Sequence, residues 1–159
     1  MKSETLIVGI GSSHGDDQFG WRVAEQLAEL SDNLSATVRL ARSPAEIIGW
    51  LEGAERLMVC DACQDLGSPG RLHHWQWPDS KLSELRFSGS HDLGISAALG
   101  LADRLGWLPM DVSVWCAEGT CFNAGQTISP PVEAAVAKTV GRIQDELMRQ
   151  SGTEFSYRG

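Results

Sequence analysis

Two carboxylates and one imidazole, far apart along the chain, are of the types that hold a borderline metal ion. Asp17 ends a glycine-rich turn in Leu6-Ile-Val-Gly-Ile-Gly-Ser-Ser-His-Gly-Asp-Asp-Gln-Phe-Gly20, Asp61 closes the apolar run Leu57-Met-Val-Cys60, and His91 stands in Ser90-His91-Asp92. Each also has an ordinary structural role open to it. Asp17 suits a helix N-cap or first-turn acid, worth about 1 kcal/mol. Asp61 suits a turn acid that bonds nearby amides, and His91 suits a solvated loop. Together they do more, because two carboxylate oxygens and one imidazole nitrogen leave open positions on a zinc- or nickel-like ion. The positive end of a following helix favours neutral imidazole at His91, which is the ligating form. Of the two consecutive acids, Asp16 suits the cap and Asp17 the cleft.

Other groups point to other chemistry. Cys60-x-x-Cys63 and Cys116-x4-Cys121 have the makings of a four-thiolate zinc site, but the second spacing is wide for one. Cys60 lies inside an apolar run, where a thiol behaves as a small hydrophobe. A Cys-His protease pairing of Cys63 with His91 or His14 has no local signature behind it. Gly9-Ile-Gly11 is part of a dinucleotide fingerprint, but His14 occupies the third glycine position. Arg39 and Arg42 stand where an acid is expected.

The elements that must position these residues follow from periodicity. Leu6–Ile10 reads as an interior parallel strand, and Phe19, Val23, Leu27 and Leu30 give a helix over 17–30. A short strand at 36–40 precedes Ser43-Pro44-Ala-Glu46, a capping box that opens a helix through Leu51. A strand at 57–60 and an edge strand at 72–77 come next. A helix of small residues follows at 93–105, and then a strand at 111–116. Ser129-Pro130 opens a last helix with core face Val132, Val136, Val140, Ile143 and Leu147, leaving 150–159 as a frayed tail. Strands interleaved with helices imply an α/β fold. The expected architecture is a three-layer α/β/α sandwich with a mostly parallel, roughly five-stranded twisted sheet, in one domain over 1–149. Right-handed crossovers would bring the loops of Asp17, Asp61 and His91 to one edge of that sheet.

Bulk properties narrow the partners. The 159 residues carry 13 basic and 21 acidic side chains, a net charge of −8, which disfavours nucleic acid and anionic membranes. No apolar run approaches the roughly 18 residues of a membrane span. Met1-Lys-Ser-Glu-Thr lacks a signal-peptide core, so a cytoplasmic protein with reduced cysteines is expected.

Gly9-x-Gly11 with Asp16-Asp17-x-x-Gly20, Val59-Cys-Asp61-Ala with Pro69-Gly70, and Ser90-His91-x-Leu93-Gly94 together resemble the hydrogenase maturation proteases. The resemblance runs from Leu6 to the final helix and includes Leu-Pro-x-x-Val at 108–112. It implies an endopeptidase that trims the C-terminal extension of the [NiFe] hydrogenase large-subunit precursor. It also implies that Asp17, Asp61 and His91 contact nickel supplied by that substrate, a site that zinc or cadmium could fill in vitro. Asp17 or Asp61 would serve as the catalytic base. The chain departs from the family pattern at several points. The turn Ser12-Ser-His14-Gly15 is about one residue shorter than usual, and His14 in it is unusual and a candidate additional ligand. Ser12 stands where an Asn is usual, and Ala41-Arg42-Ser43-Pro44 replaces an Asp-Gly-Gly-Thr-like segment. A metal-checking protein without catalysis is the alternative on the same scaffold, and a nucleotide-binding domain is a more distant one.

Overall fold

Among the described residues five strands are interleaved with four helices, and the sheet order follows from their crossovers. The computed structural model describes residues 4–30, 34–64, 66–81, 87 and 94–158. Strand β1 is Thr5–Ile10, followed by a 3-10 turn at Gly15–Gln18 and helix α1 at Phe19–Ala28. Strand β2 is Ala36–Ala41, helix α2 is Ala45–Ile48, strand β3 is Arg56–Gln64 and strand β4 is Leu72–Gln76. Helix α3 is Ile95–Arg104, strand β5 is Asp111–Gly119 and helix α4 is Pro130–Arg158. The sheet order is β2-β1-β3-β5-β4. All neighbours are parallel except β4, which pairs antiparallel with β5 at one edge. This is the expected three-layer α/β/α sandwich on a mostly parallel five-stranded sheet.

The period-2 alternation of the central strands divides the core into two layers. Ile7, Met58, Cys60 and Trp115 face α1 and α4, meeting Phe19, Val23, Leu27, Val136 and Ile143. Leu6, Val8, Leu57, Val59, Val112 and Val114 face the other way, against Ile47 of α2 and Ile95, Leu99 and Ala102 of α3. Burial on both faces is why these strands read as continuous apolar runs rather than alternating ones.

Helix α1 lies flush on the sheet because Gly9 and Gly20 are both glycine. A Cβ on Gly9 would collide with the Gly20 carbonyl, and one on Gly20 would collide with the Ile10 carbonyl. That close approach fixes where the turn before α1 sits over the strand ends.

Several boundaries differ from the sequence expectation. Strands β3 and β5 run on to Gln64 and Gly119, because their ladder continues through Asp61↔Cys116, Ala62↔Ala117 and Cys63↔Glu118. Helix α2 stops at Ile48 rather than Leu51, with Gly49 as its C-cap. Its capping box closes through the acid, as Glu46 Oε2 accepts the Arg42 and Ser43 N–H groups at 2.6 and 2.9 Å. Residues 150–158, expected as a frayed tail, continue α4, and no proline interrupts that stretch. Helix α3 buries one stripe (Ile95, Ala98, Leu99, Ala102) against the sheet while Leu101 is exposed. Among the described residues no helix is long and apolar enough to cross a membrane.

Candidate active site

The two consecutive acids of the first turn have opposite fates. Asp16 is fully buried, and its carboxylate accepts four hydrogen bonds from the segment that leads from β5 to α4. The donors are Thr120 N–H (2.8 Å), Cys121 N–H (3.2 Å), Ser129 N–H (2.7 Å) and Ser129 Oγ (3.0 Å). Gly15 N–H to the Gln126 carbonyl, at 3.0 Å, adds to the same seam. Burial pushes the Asp16 carboxyl pKa up, and these donors more than offset it, so the group lies below the ordinary carboxylate value. The expectation that Asp16 caps its own helix is corrected. It makes no cap bond to the turn that carries it, and instead binds Ser129 at the start of α4. Those partners lie 104 to 113 residues away, so no local pattern announces them.

Asp17, by contrast, is only partly buried. The Ser12 hydroxyl donates to its Oδ2 at 2.6 Å and accepts the His14 N–H at 3.2 Å. The main chain repeats the closure, with Ser12 N–H to the Asp17 carbonyl at 3.2 Å and Asp17 N–H to the His14 carbonyl at 3.0 Å. Trp21, one helical turn further on, donates from Nε1 to the Ala41 carbonyl at 2.9 Å, and Gly11 N–H meets the same oxygen at 3.0 Å. The end of β2 is thereby tied to the turn of Asp17. A pyrophosphate would need converging N–H donors and no negative charge at this turn. Two acids stand there instead, and Gly11 packs against the Asp17 carbonyl. These contacts give Gly9 and Gly11 a packing role with α1.

Asp61 is wholly buried, with Oδ1 accepting the Ala62 N–H at 2.8 Å. By strand alternation it shares the face of Leu57 and Val59, which is the α3 face. It sits toward the carboxyl end of β3, the strand against which the Asp17 turn packs. The two acids therefore belong to one end of the sheet, where open α/β folds build ligand sites. His91 lies outside the described residues. The described chain resumes at Gly94, the N-cap of α3, and α3 covers the Asp61 face. Among the described residues no group of three or more His, Cys, Asp or Glu side chains is arranged to hold a metal.

The cysteines and a third buried acid, Glu118, complete this end of the sheet. Cys60, Cys63 and Cys116 are buried free thiols, and Cys121 is half-buried. Burial first, then the negative charge of Asp61, pushes the Cys60 thiol up. Burial and contact with Cys63, with Asp61 and Glu118 adding their charge, do the same at Cys116. Such thiols stay protonated at neutral pH. Glu118, 1% exposed, pairs with His73 Nε2 at 2.8 Å and accepts Leu66 and Ser68 N–H at 2.8 and 3.1 Å. Burial raises its pKa, and the His73 and backbone bonds bring the net value below the ordinary one. Sequence reasoning missed Ser12, Trp21 and Glu118. Only Trp21 left a trace, four residues after Asp17 on a helix. A groove of about 710 Å³ lined by Ile48, Leu51, Trp107 and Leu108 lies at the opposite end of the strands. Among the described residues Glu52 is its one titratable wall residue.

This architecture superimposes on solved structures over nearly its whole length. Hydrogenase maturating endopeptidase HybD from E. coli matches with a TM-score of 0.74 at 20% identity, covering 94% of both chains. A hydrogenase 2 maturation peptidase from a Thaumarchaeota archaeon matches with a TM-score of 0.66 at 26% identity, over 91% of this chain and 98% of that one. The fold is that of the hydrogenase maturation peptidases. In sequence, the hydrogenase expression/formation protein HupD of Bradyrhizobium diazoefficiens is 27% identical over 163 residues. That match covers 96% of this chain and 82% of HupD. No protein-family model matches the chain. Structures of hydrogenase maturation peptidases thus share the scaffold that carries Asp17 and Asp61 to one rim.

Proposed function

We propose that this protein is an endopeptidase that removes the C-terminal extension of a nickel-loaded [NiFe] hydrogenase large-subunit precursor. One observation carries the proposal. Asp61 is buried at the carboxyl end of the sheet, and the turn that packs on its strand presents a second acid, Asp17, oriented by Ser12. The maturation peptidases that share the fold, and the likeness to HupD, support the same substrate class.

In this reading Asp17, Asp61 and His91 meet the nickel that the precursor brings, so cleavage waits on metal insertion. The nickel is part of the substrate, and zinc or cadmium can take its place in vitro. One carboxylate acts as general base. It takes a proton from water as the water oxygen bonds to the scissile carbonyl carbon. The C–N bond then breaks, and the proton passes to the departing amine. The raised thiols of Cys60 and Cys116 leave nucleophilic catalysis to neither.

The test is incubation with nickel-loaded and nickel-free precursor, followed by intact mass measurement. Shortening of the loaded form alone is expected. Binding of the loaded form with no shortening would favour a metal-checking protein, and cleavage indifferent to nickel would remove the metal from the account. Any such protein acts where precursors are assembled, which we take to be the cytoplasm.

A further inference from the structure

Strand β2 is an open edge of the sheet, and its hydrogen-bonding groups lead to Asp17. Gly11 N–H bonds the Ala41 carbonyl, so Ala41 faces β1 in the ladder. Residues of a parallel strand alternate in direction, so Arg39 also faces β1, while Val38 and Leu40 turn their N–H and C=O outward. Among the described residues nothing meets those outward groups. Leu40 is 40% exposed, an apolar side chain on an unprotected edge of the kind folded proteins normally avoid. Arg39 lies on this edge and Arg42 just beyond it, in a chain of net charge −8, and Glu46 is the acid beside them, its carboxylate on the Arg42 and Ser43 N–H groups. The far edge, β4, starts instead from a loop closed by Glu118.

We infer that the edge of β2 receives the substrate's C-terminal extension as an added strand. This rests on the peptidase reading and says how that substrate is held. The extension leaves the scissile bond at the carboxyl end of β2, where Trp21 and Gly11 tie Ala41 to the Asp17 turn. It then runs back along the strand, antiparallel to β2, donating to and accepting from Val38 and Leu40. Arg42 at the rim favours an extension with acidic rather than basic side chains. Main-chain pairing supplies affinity with little demand on sequence, and catalysis stays with the acids beyond the strand end.

The experiment uses the full chain and a synthetic peptide of the extension with its preceding residues. Amide exchange is followed with and without peptide, and protection of Val38 and Leu40 is expected. Leu40→Pro removes an outward N–H while leaving the bonds to β1 in place. It should raise KM for the precursor about tenfold or more with kcat kept. Peptides N-methylated at alternate amides, which carry no folding risk, should lose affinity in one alternation only. Unprotected amides, or an unchanged KM for Leu40→Pro together with equal binding of both methylated series, would overturn the added strand. If that happens while the wild type still cleaves, the peptidase reading stands. If peptide protects the β2 amides while precursor is never cut, the peptidase reading fails and the peptide-binding edge survives.

Discussion

Asp16 and Asp17 are chemically identical neighbours, and their surroundings assign them different work. Asp16 spends its oxygens on four donors from the 120–129 segment, whereas Asp17 is held by one hydroxyl at 2.6 Å and stays partly exposed. A carboxylate fixed in one rotamer meets an ion without losing side-chain freedom at that moment. Ser12→Ala should therefore weaken cadmium binding and lower kcat about tenfold at unchanged melting temperature. Ser12→Thr, which keeps the hydroxyl, should restore both in calorimetric titration and cleavage assays. Asp61→Asn keeps the size and the acceptor for Ala62 N–H, so the fold should persist within about 1 kcal/mol while cleavage falls at least a hundredfold. Retained activity with a large drop in melting temperature would make Asp61 structural. The sequence already separated the candidate acids from the cysteines at this scale. Ser12 and Glu118 were not legible, because their partners are set by loop closure and by contacts tens of residues apart.

At the scale of elements, long apolar runs and i, i+4 periodicity made the order of strands and helices readable from sequence. Boundaries were less readable. Strands β3 and β5 support each other beyond their apolar stretches, so Asp61, Cys63 and Glu118 are strand residues although their types suggest loop. The β5 end is also where acid sensitivity is built in. With its pKa held below the ordinary 4.5, Glu118 stabilises the fold above that pH, and the contribution disappears as pH falls through the lowered value. In thermal melts, Glu118→Gln should cost most near pH 7, by about 1–3 kcal/mol for a buried charge-assisted network. The gap to wild type should narrow below about pH 4.5. A gap independent of pH would mean the loss is packing rather than charge.

Across the whole molecule, the sheet sorts its functions by end. Asp17 and Asp61 belong to the carboxyl ends of β1 and β3, and the open β2 edge ends beside Asp17. The groove lined by Ile48, Leu51, Glu52, Trp107 and Leu108 lies at the opposite end. Right-handed crossovers made this convergence foreseeable, since the loops that follow parallel strands share one rim. The lock between the Asp16 turn and the 120–129 segment was not foreseeable, because it joins parts of the chain more than 100 residues apart. The most direct measurement is a crystal of the protein soaked with zinc or cadmium. The account predicts one ion at this rim, held by Asp17 and Asp61 oxygens and a nitrogen of His91, at about 2.0–2.2 Å for zinc. An ion bound elsewhere, or the His91 imidazole held beyond coordination reach of both acids, would contradict it.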